Sequence, residues 1–259
     1  MIKRVALKTM EAVLPRRVRE ALLHVAFNIA HDEFHKFAFL YAFAPDMTME
    51  FNRLKQRGWS PGSVVDVGSF EGNWSRMARG LWPSARLAMV EPNTQLTHQL
   101  RGVAAELNAE FHCELLGATE GTEVAFHVME SGSSIFEERS SIPRHCETRR
   151  LRTLDSTLGD WDTIDLLKVD AQGYELEILK GAVRLLPQTK SVLLEVSVIQ
   201  TNRDAPLMDD VIAFMKAQGF VPCEILEIHR RPLDMALNQV DILFVREDSS
   251  LLADKRQLA

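Results

Sequence analysis

Cysteine is scarce: Cys113, Cys146 and Cys223 are the only three in 259 residues, widely spaced and odd in number. That argues against a disulfide framework or a zinc ribbon, and a reducing compartment, read as the cytoplasm, fits best. A basic surplus is also lacking, with 30 Lys and Arg against 36 Asp and Glu and a net charge of -6. Nucleic acid, which usually needs a basic face, is not expected as a partner. No run of roughly 18 apolar residues is present to span a bilayer. Arg16, Arg17 and Arg19 interrupt the apolar stretch that a signal peptide needs. No internal repeat is found. What the chain does have is 46% hydrophobic and 25% charged residues, enough for the core of one α/β domain with an N-terminal extension.

Residues 1–44 read as helices, because Val18, Leu22, Val25, Ala26 and Ile29 recur at helical spacing. Residues 1–24 are basic, with Lys3, Arg4, Lys8, Arg16, Arg17 and Arg19 against Glu11 and Glu20. A cap helix with a solvated basic face is preferred over weak contact with an anionic membrane surface. The aromatic block Phe34, Phe37, Phe39, Tyr41 and Phe43 suits either core or the floor of a substrate pocket. The expected division is a helical cap over 1–48, a main domain over 49–248 and a polar tail over 249–259.

From residue 64 the period changes. Apolar runs at 64–67, 87–90, 111–116, 164–169 and 192–196 alternate with helical patterns at 74–81, 94–107, 175–186 and 208–218. Residues 124–128 form an extra strand, and residues 220–228 and 240–245 form a closing hairpin. Such alternation predicts a parallel sheet covered on both faces. Residues 130–150, polar and rich in Ser and Arg, read as a functional loop or lid.

In such a sheet, ligands bind outside the carboxyl ends of the strands. The first informative end is Asp66-Val67-Gly68-Ser69-Phe70-Glu71-Gly72. Gly68 and Gly72 allow a tight turn and a close backbone approach. Their Gly-x-x-x-Gly spacing argues against the dinucleotide fingerprint Gly-x-Gly-x-x-Gly. Glu91, before Pro92 and Asn93, ends the next strand, where a carboxylate accepts hydrogen bonds from ribose hydroxyls. Together the two ends predict a nucleoside ligand. Asp170 ends a third strand, which also carries Lys168 at a core position, and Glu195 interrupts a fourth apolar run.

These pieces resemble the FkbM family of class I methyltransferases. The matching segments are Val65-Asp66-Val67-Gly68, Gly72-Asn73-Trp74-Ser75, Val90-Glu91-Pro92-Asn93, Ser131-Gly132-Ser133-Ser134 and Leu151-Arg152-Thr153-Leu154-Asp155. The most specific runs from Asp165 through Lys168, Asp170, Gln172, Gly173 and Tyr174 to Glu177. The resemblance implies a Rossmann-like, mostly parallel seven-stranded sheet with an antiparallel last strand. It further implies S-adenosylmethionine as donor and O-methylation of a sugar, polysaccharide or polyketide-type acceptor. The cofactor-binding set that goes with it is Asp66, Gly68, Phe70, Gly72, Asn73, Ser75, Glu91, Pro92, Gly117 and Asp170. Ser69-Phe70-Glu71 departs from the family's usual Ala-Asn-x at that turn.

An alcohol is a poor nucleophile at neutral pH, so a base or a metal is expected to assist it. Asp170 and Glu195 are the first candidates. Either they hold Mg²⁺ against the acceptor oxygen, or Asp170 contacts the cofactor while Glu195 braces Lys168. His35 is a candidate general base, because histidine titrates near neutral pH. His31 and His35 share a helix face, yet zinc is disfavoured: Asp32 stands where the zincin motif has Glu, and no third ligand is evident. Arg144 and His145 suit either an anionic substrate or solvent, and Cys146 has no activating neighbour. Two rival readings are a nicotinamide-dependent oxidoreductase, disfavoured by the glycine spacing, and a non-catalytic binding module, disfavoured because Asp66, Glu91 and Asp170 are all present.

Overall fold

The computed structural model describes residues 45–128, 133–136, 145–231 and 233–256, together with Val18, Leu22 and Val25. Those three are helical and exposed. The rest of the N-terminal helices, the aromatic block, and His31 and His35 lie outside the described residues. So do Ser131, Gly132 and residues 137–144 of the expected loop.

A compact unit begins at Pro45. Helix α1 (Met47–Gln56) starts where the Asp46 carboxylate accepts a hydrogen bond from the Met49 amide at 2.9 Å. It buries Phe51 and Leu54. There follow β1 (Ser63–Val67), α2 (Asn73–Leu81), β2 (Arg86–Val90), α3 (Thr97–Leu107) and β3 (Glu110–His112). After them come β4 (Leu115–Leu116), β5 (Glu123–Val128), β6 (His145–Arg152) and the short α4 (Leu154–Thr157). The last third holds β7 (Ile164–Val169), α5 (Glu175–Lys180), β8 (Thr189–Ser197), α6 (Met208–Ala217), β9 (Phe220–Arg230) and β10 (Leu237–Arg246).

Seven strands form one sheet in the order β3-β2-β1-β7-β8-β10-β9. Only β10 runs against its neighbours. The expected α/β architecture with an antiparallel last strand is therefore present. Three local expectations need correction. Residues 111–116 are not one strand: β3 ends at His112, and the polar pair Cys113-Glu114 turns the chain out, so β4 joins a separate sheet of order β4-β6-β5. The end of the presumed 130–150 loop is strand β6, mostly exposed and paired with β5, Arg150 lying opposite Glu123. With polar side chains on its outer face, it carries no apolar alternation to betray it. Helix α5 stops at Lys180, and Gly181 follows, packed so closely on Gly117 that a Cβ would lie 2.1 Å from the Gly117 carbonyl oxygen.

Alternation along the strands builds two cores. Val65, Leu167, Leu194 and Ile242 face α5 and α6, while Val64, Leu166, Leu193 and Leu243 face α1, α2 and α3. On the second face, the next residue toward the carboxyl edge is charged on every central strand. Asp66 follows Val64, Lys168 follows Leu166, Glu195 follows Leu193, and Asp241 stands two before Leu243 on the reversed strand. Apolar burial thus gives way to an ionic band at the edge where ligands bind. Among the described residues, no helix is long and apolar enough to cross a membrane.

Candidate active site

The turn after β1 is built for close approach. Gly68 has φ 76° and Gly72 φ 80°. A Cβ at Gly68 would lie 1.9 Å from the Asp170 carbonyl oxygen, so this strand end and that of β7 touch through backbone alone. Phe70 (φ 44°) and Gln172 (φ 53°) hold left-handed conformations in the two facing loops, the kind of local strain that clusters at functional sites. The Phe70 amide donates to Glu91 Oε2 at 2.8 Å, and the Asn93 amide donates to Oε1 at 2.9 Å. Glu91 is buried, and burial raises its pKa against the lowering effect of those two amides.

The loop after β7 is clamped from three sides. Glu175 Oε1 accepts from the Ala171 and Gly173 amides at 2.9 and 3.0 Å. Ser134 Oγ and Asn202 Nδ2 both donate to the Gln172 carbonyl, at 3.0 and 2.7 Å. Burial pushes the Glu175 carboxyl up to about 7.

Two cavities open here and share Gly68, Phe70 and Asp170 as walls. The first, about 170 Å³, is lined by Glu91, Pro92, Leu115, Leu116, Tyr174 and Ile178, among others. The second, about 410 Å³, is walled by Asn73, Trp74, Glu195, Glu227, His229 and Asp241.

The expected site residues divide accordingly. Gly68, Phe70, Glu91, Pro92, Asn73 and Asp170 line one cavity or both. Asp66 and Ser75 do not. Both are fully buried and bonded to each other at 2.6 Å, and Lys168 Nζ lies 3.2 Å from Asp66 Oδ1. Gly72 faces Val103 and Met89, and Gly117 packs against Leu151. Burial alone would lower the Lys168 pKa, but Asp66 and Asp170, the latter at 3.4 Å, outweigh it and hold the ammonium above its ordinary value. Lys168 is braced by these two residues rather than by Glu195. The space between Asp170 and Glu195 is taken by an amide: Gln172 Nε2 donates to both, at 3.1 and 3.0 Å. The expectation of Mg²⁺ held between those two carboxylates therefore finds no support. Glu195 Oε2 also accepts from Gln239 at 2.7 Å. Burial first, then Asp170 and Asp241, hold the Glu195 carboxyl well above the usual carboxylate range.

Residues 66–222, from the end of β1 into β9, match the Methyltransferase FkbM domain. The chain belongs to the FkbM methyltransferase family. Among solved structures, an FkbM methyltransferase from Methylobacillus flagellatus KT aligns at 16% identity and TM-score 0.44, covering 71% of this chain and 43% of that one. The chain thus spans less than half the length of that relative. The 1,6-didemethyltoxoflavin-N1-methyltransferase of Burkholderia thailandensis, bound to 1,6-didemethyltoxoflavin and S-adenosylhomocysteine, aligns at 11% identity and TM-score 0.42, covering 91% and 92%. The ribosomal protein L11 methylase of Lactobacillus delbrueckii subsp. bulgaricus aligns at 12% and 0.42, covering 77% of each chain. No curated protein matches the chain in sequence.

Glu227, His229 and Asp241 escaped the sequence reading of this FkbM chain. Asp241 carried the one available signal, a charge inside the apolar run 240–245, the same signal that singled out Glu195. Glu175 and Asn202 had no such signal, because their role is to bind backbone of a loop shaped elsewhere.

Proposed function

We propose that this methyltransferase transfers the methyl group of S-adenosylmethionine to a hydroxyl oxygen of a small-molecule or glycan acceptor of sugar, polysaccharide or polyketide type. The observation that carries the reading is the pair of adjoining cavities, one where Glu91 stands beside the apolar side chains of Leu115, Leu116 and Ile178 and one where Glu195, Glu227 and Asp241 gather, with Asp170 in the wall of both. The donor set fits the cofactor. Glu91 gives one lone pair on each oxygen to a backbone amide and keeps another for a ribose hydroxyl. Leu115, Leu116 and Ile178 offer an apolar slot for a base. Gly68 lets the ends of β1 and β7 meet backbone to backbone at the junction of the two cavities, where a side chain would force them apart.

S-adenosylmethionine supplies an electrophilic methyl group when bound. The chain's own residues orient the acceptor, and much of the acceleration comes from that positioning. Asp170 and Glu195 are the acceptor-side carboxylates. Glu195 Oε2 is held by Gln172 and Gln239, while Oε1 has no hydrogen-bond partner among the described residues. A carboxylate held well above its usual range by burial and neighbouring charge is suited to take the acceptor's hydroxyl proton, and Oε1 is the atom that receives it.

Calorimetry is expected to show S-adenosylhomocysteine binding and no NADH binding. Glu91→Ala should weaken that binding at least tenfold, about 1.4 kcal/mol. With methyl-tritiated donor and a panel of hydroxyl-bearing sugars and polyketides, label should appear as an O-methyl group. NADH binding without S-adenosylhomocysteine binding would sink the cofactor reading, and label on nitrogen or carbon would sink O-methylation.

A further inference from the structure

The second cavity contains a feature that methyl transfer by Asp170 and Glu195 does not use. Glu195, Asp241 and Glu227 lie directly opposite one another on the adjacent strands β8, β10 and β9. Like charges so placed destabilise a sheet. Lys168 offsets them only in part: its charge reaches Glu195 and Asp241, but its ammonium sits against Asp66, Asp170 and the Gly68 carbonyl. The register that creates the row depends on an irregularity. Ile225 pairs with Ile242 and Glu227 with Asp241, leaving Leu226 as an extra residue. On strict alternation the face shared with Glu224 would carry Leu226 and Ile228. The bulge moves Glu227 and His229 onto the face of Asp241 instead, the re-aiming for which bulges recur beside active sites.

The result is a mixed donor set. One ligand atom each from Glu227, His229 and Asp241 lies within 4.8 Å of the others. His229 Nε2 is 2.8 Å from Asp241 Oδ2. Asp241, with only 10% of its side chain exposed, lines the cavity, and its Oδ1 has no hydrogen-bond partner among the described residues. The Glu227 carboxylate likewise has none. Donors around a tetrahedral metal at about 2.0–2.2 Å stand about 3.4 Å apart. Closing this cluster on a cation therefore needs only small shifts, His229 and Asp241 opening slightly from 2.8 Å and any pair nearer the 4.8 Å limit drawing in. Two carboxylates and a neutral imidazole match a divalent charge, and the imidazole favours a transition ion over Mg²⁺ or Ca²⁺.

We propose that Glu227, His229 and Asp241 form a binding site for a divalent transition cation of the Mn²⁺ or Zn²⁺ class. The three protein ligands leave coordination positions open toward the cavity. That the open positions receive the acceptor oxygen rests on the function proposed above; the cation site itself does not. Glu195 is next in the row, directly opposite Asp241.

The test uses the full chain stripped with EDTA and titrated with Mn²⁺, followed by electron paramagnetic resonance, and with Zn²⁺ by calorimetry. Saturable binding of one ion per chain is expected. Asp241→Asn and His229→Gln should each weaken it at least tenfold, while Glu123→Gln on the small sheet leaves it unchanged. Electron spin-echo spectra of bound Mn²⁺ should show nitrogen modulation that His229→Gln abolishes. Calorimetry with S-adenosylhomocysteine on the same samples checks folding and reads the methyltransferase site separately. No saturable binding of either ion, or binding that Asp241→Asn and His229→Gln leave intact, would overturn the metal site without touching the cofactor reading.

Discussion

The two halves of the sheet's carboxyl edge treat charge in opposite ways. At β1 and β7, Asp66 and Lys168 are buried and satisfy each other across directly paired strands, and Ser75 of α2 donates to Asp66. At β8, β10 and β9, three carboxylates face one another; among the described residues their hydrogen-bond partners are His229 and the amides of Gln172 and Gln239, and Lys168 reaches them only through its charge. Both halves extend the same apolar face by one step. The difference teaches that a charged residue at a strand end has two uses. Paired internally, it fixes the shape of a turn. Left in surplus around a cavity, it holds binding capacity for a ligand at the expense of stability.

The contrast can be broken by experiment. Lys168→Met removes one partner of a buried pair and strands Asp66, so urea unfolding should lose about 3–5 kcal/mol. A loss below about 1 kcal/mol would mean that the first half is no better satisfied than the second.

Glu175 tests the clamp between the halves. Burial raises its pKa from the ordinary 4.5 to about 7, so the native state binds the proton more tightly than the unfolded chain. Its contribution is fully present below the unfolded value and is lost as pH rises through the folded one. Between pH 4.5 and 7, wild type should lose up to about 3 kcal/mol relative to Glu175→Gln, which keeps an oxygen for both amides. Urea midpoints measured across that range check it, and parallel profiles would refute it.

The smallest effect has the opposite sign. In EDTA, Glu227→Gln relieves a directly opposed like charge and should stabilise the fold by about 0.2–1 kcal/mol. Destabilisation there would show that the acidic row is satisfied after all.

Much of the first half was legible because its parts are contiguous. Gly68 and Phe70 sit in one turn, and Glu91 ends the next strand, so short-range pattern plus the strand-end rule found them. The resemblance also placed Asp66, Ser75 and Gly117 in the cofactor set, yet they line neither cavity, since adjacency along the chain does not say which way a side chain points. Lys168 could be flagged as odd, but its partner Asp66 is 102 residues away. In the second half Glu195 stood out in its apolar run, but Glu227 and His229 did not, because the bulge at Leu226 breaks the alternation that marks them, nor did Asp241, because an antiparallel strand brings it to the edge at its beginning rather than its end.

Hydrophobic period, glycine spacing and a contiguous motif are local properties, so the α/β class, the closing hairpin and the FkbM resemblance, with the antiparallel last strand it implies, were legible in the chain alone. Only the tertiary structure decided which charges pair and which remain open, because that depends on the register between strands far apart in the chain. One extra residue in β9 was enough to change it.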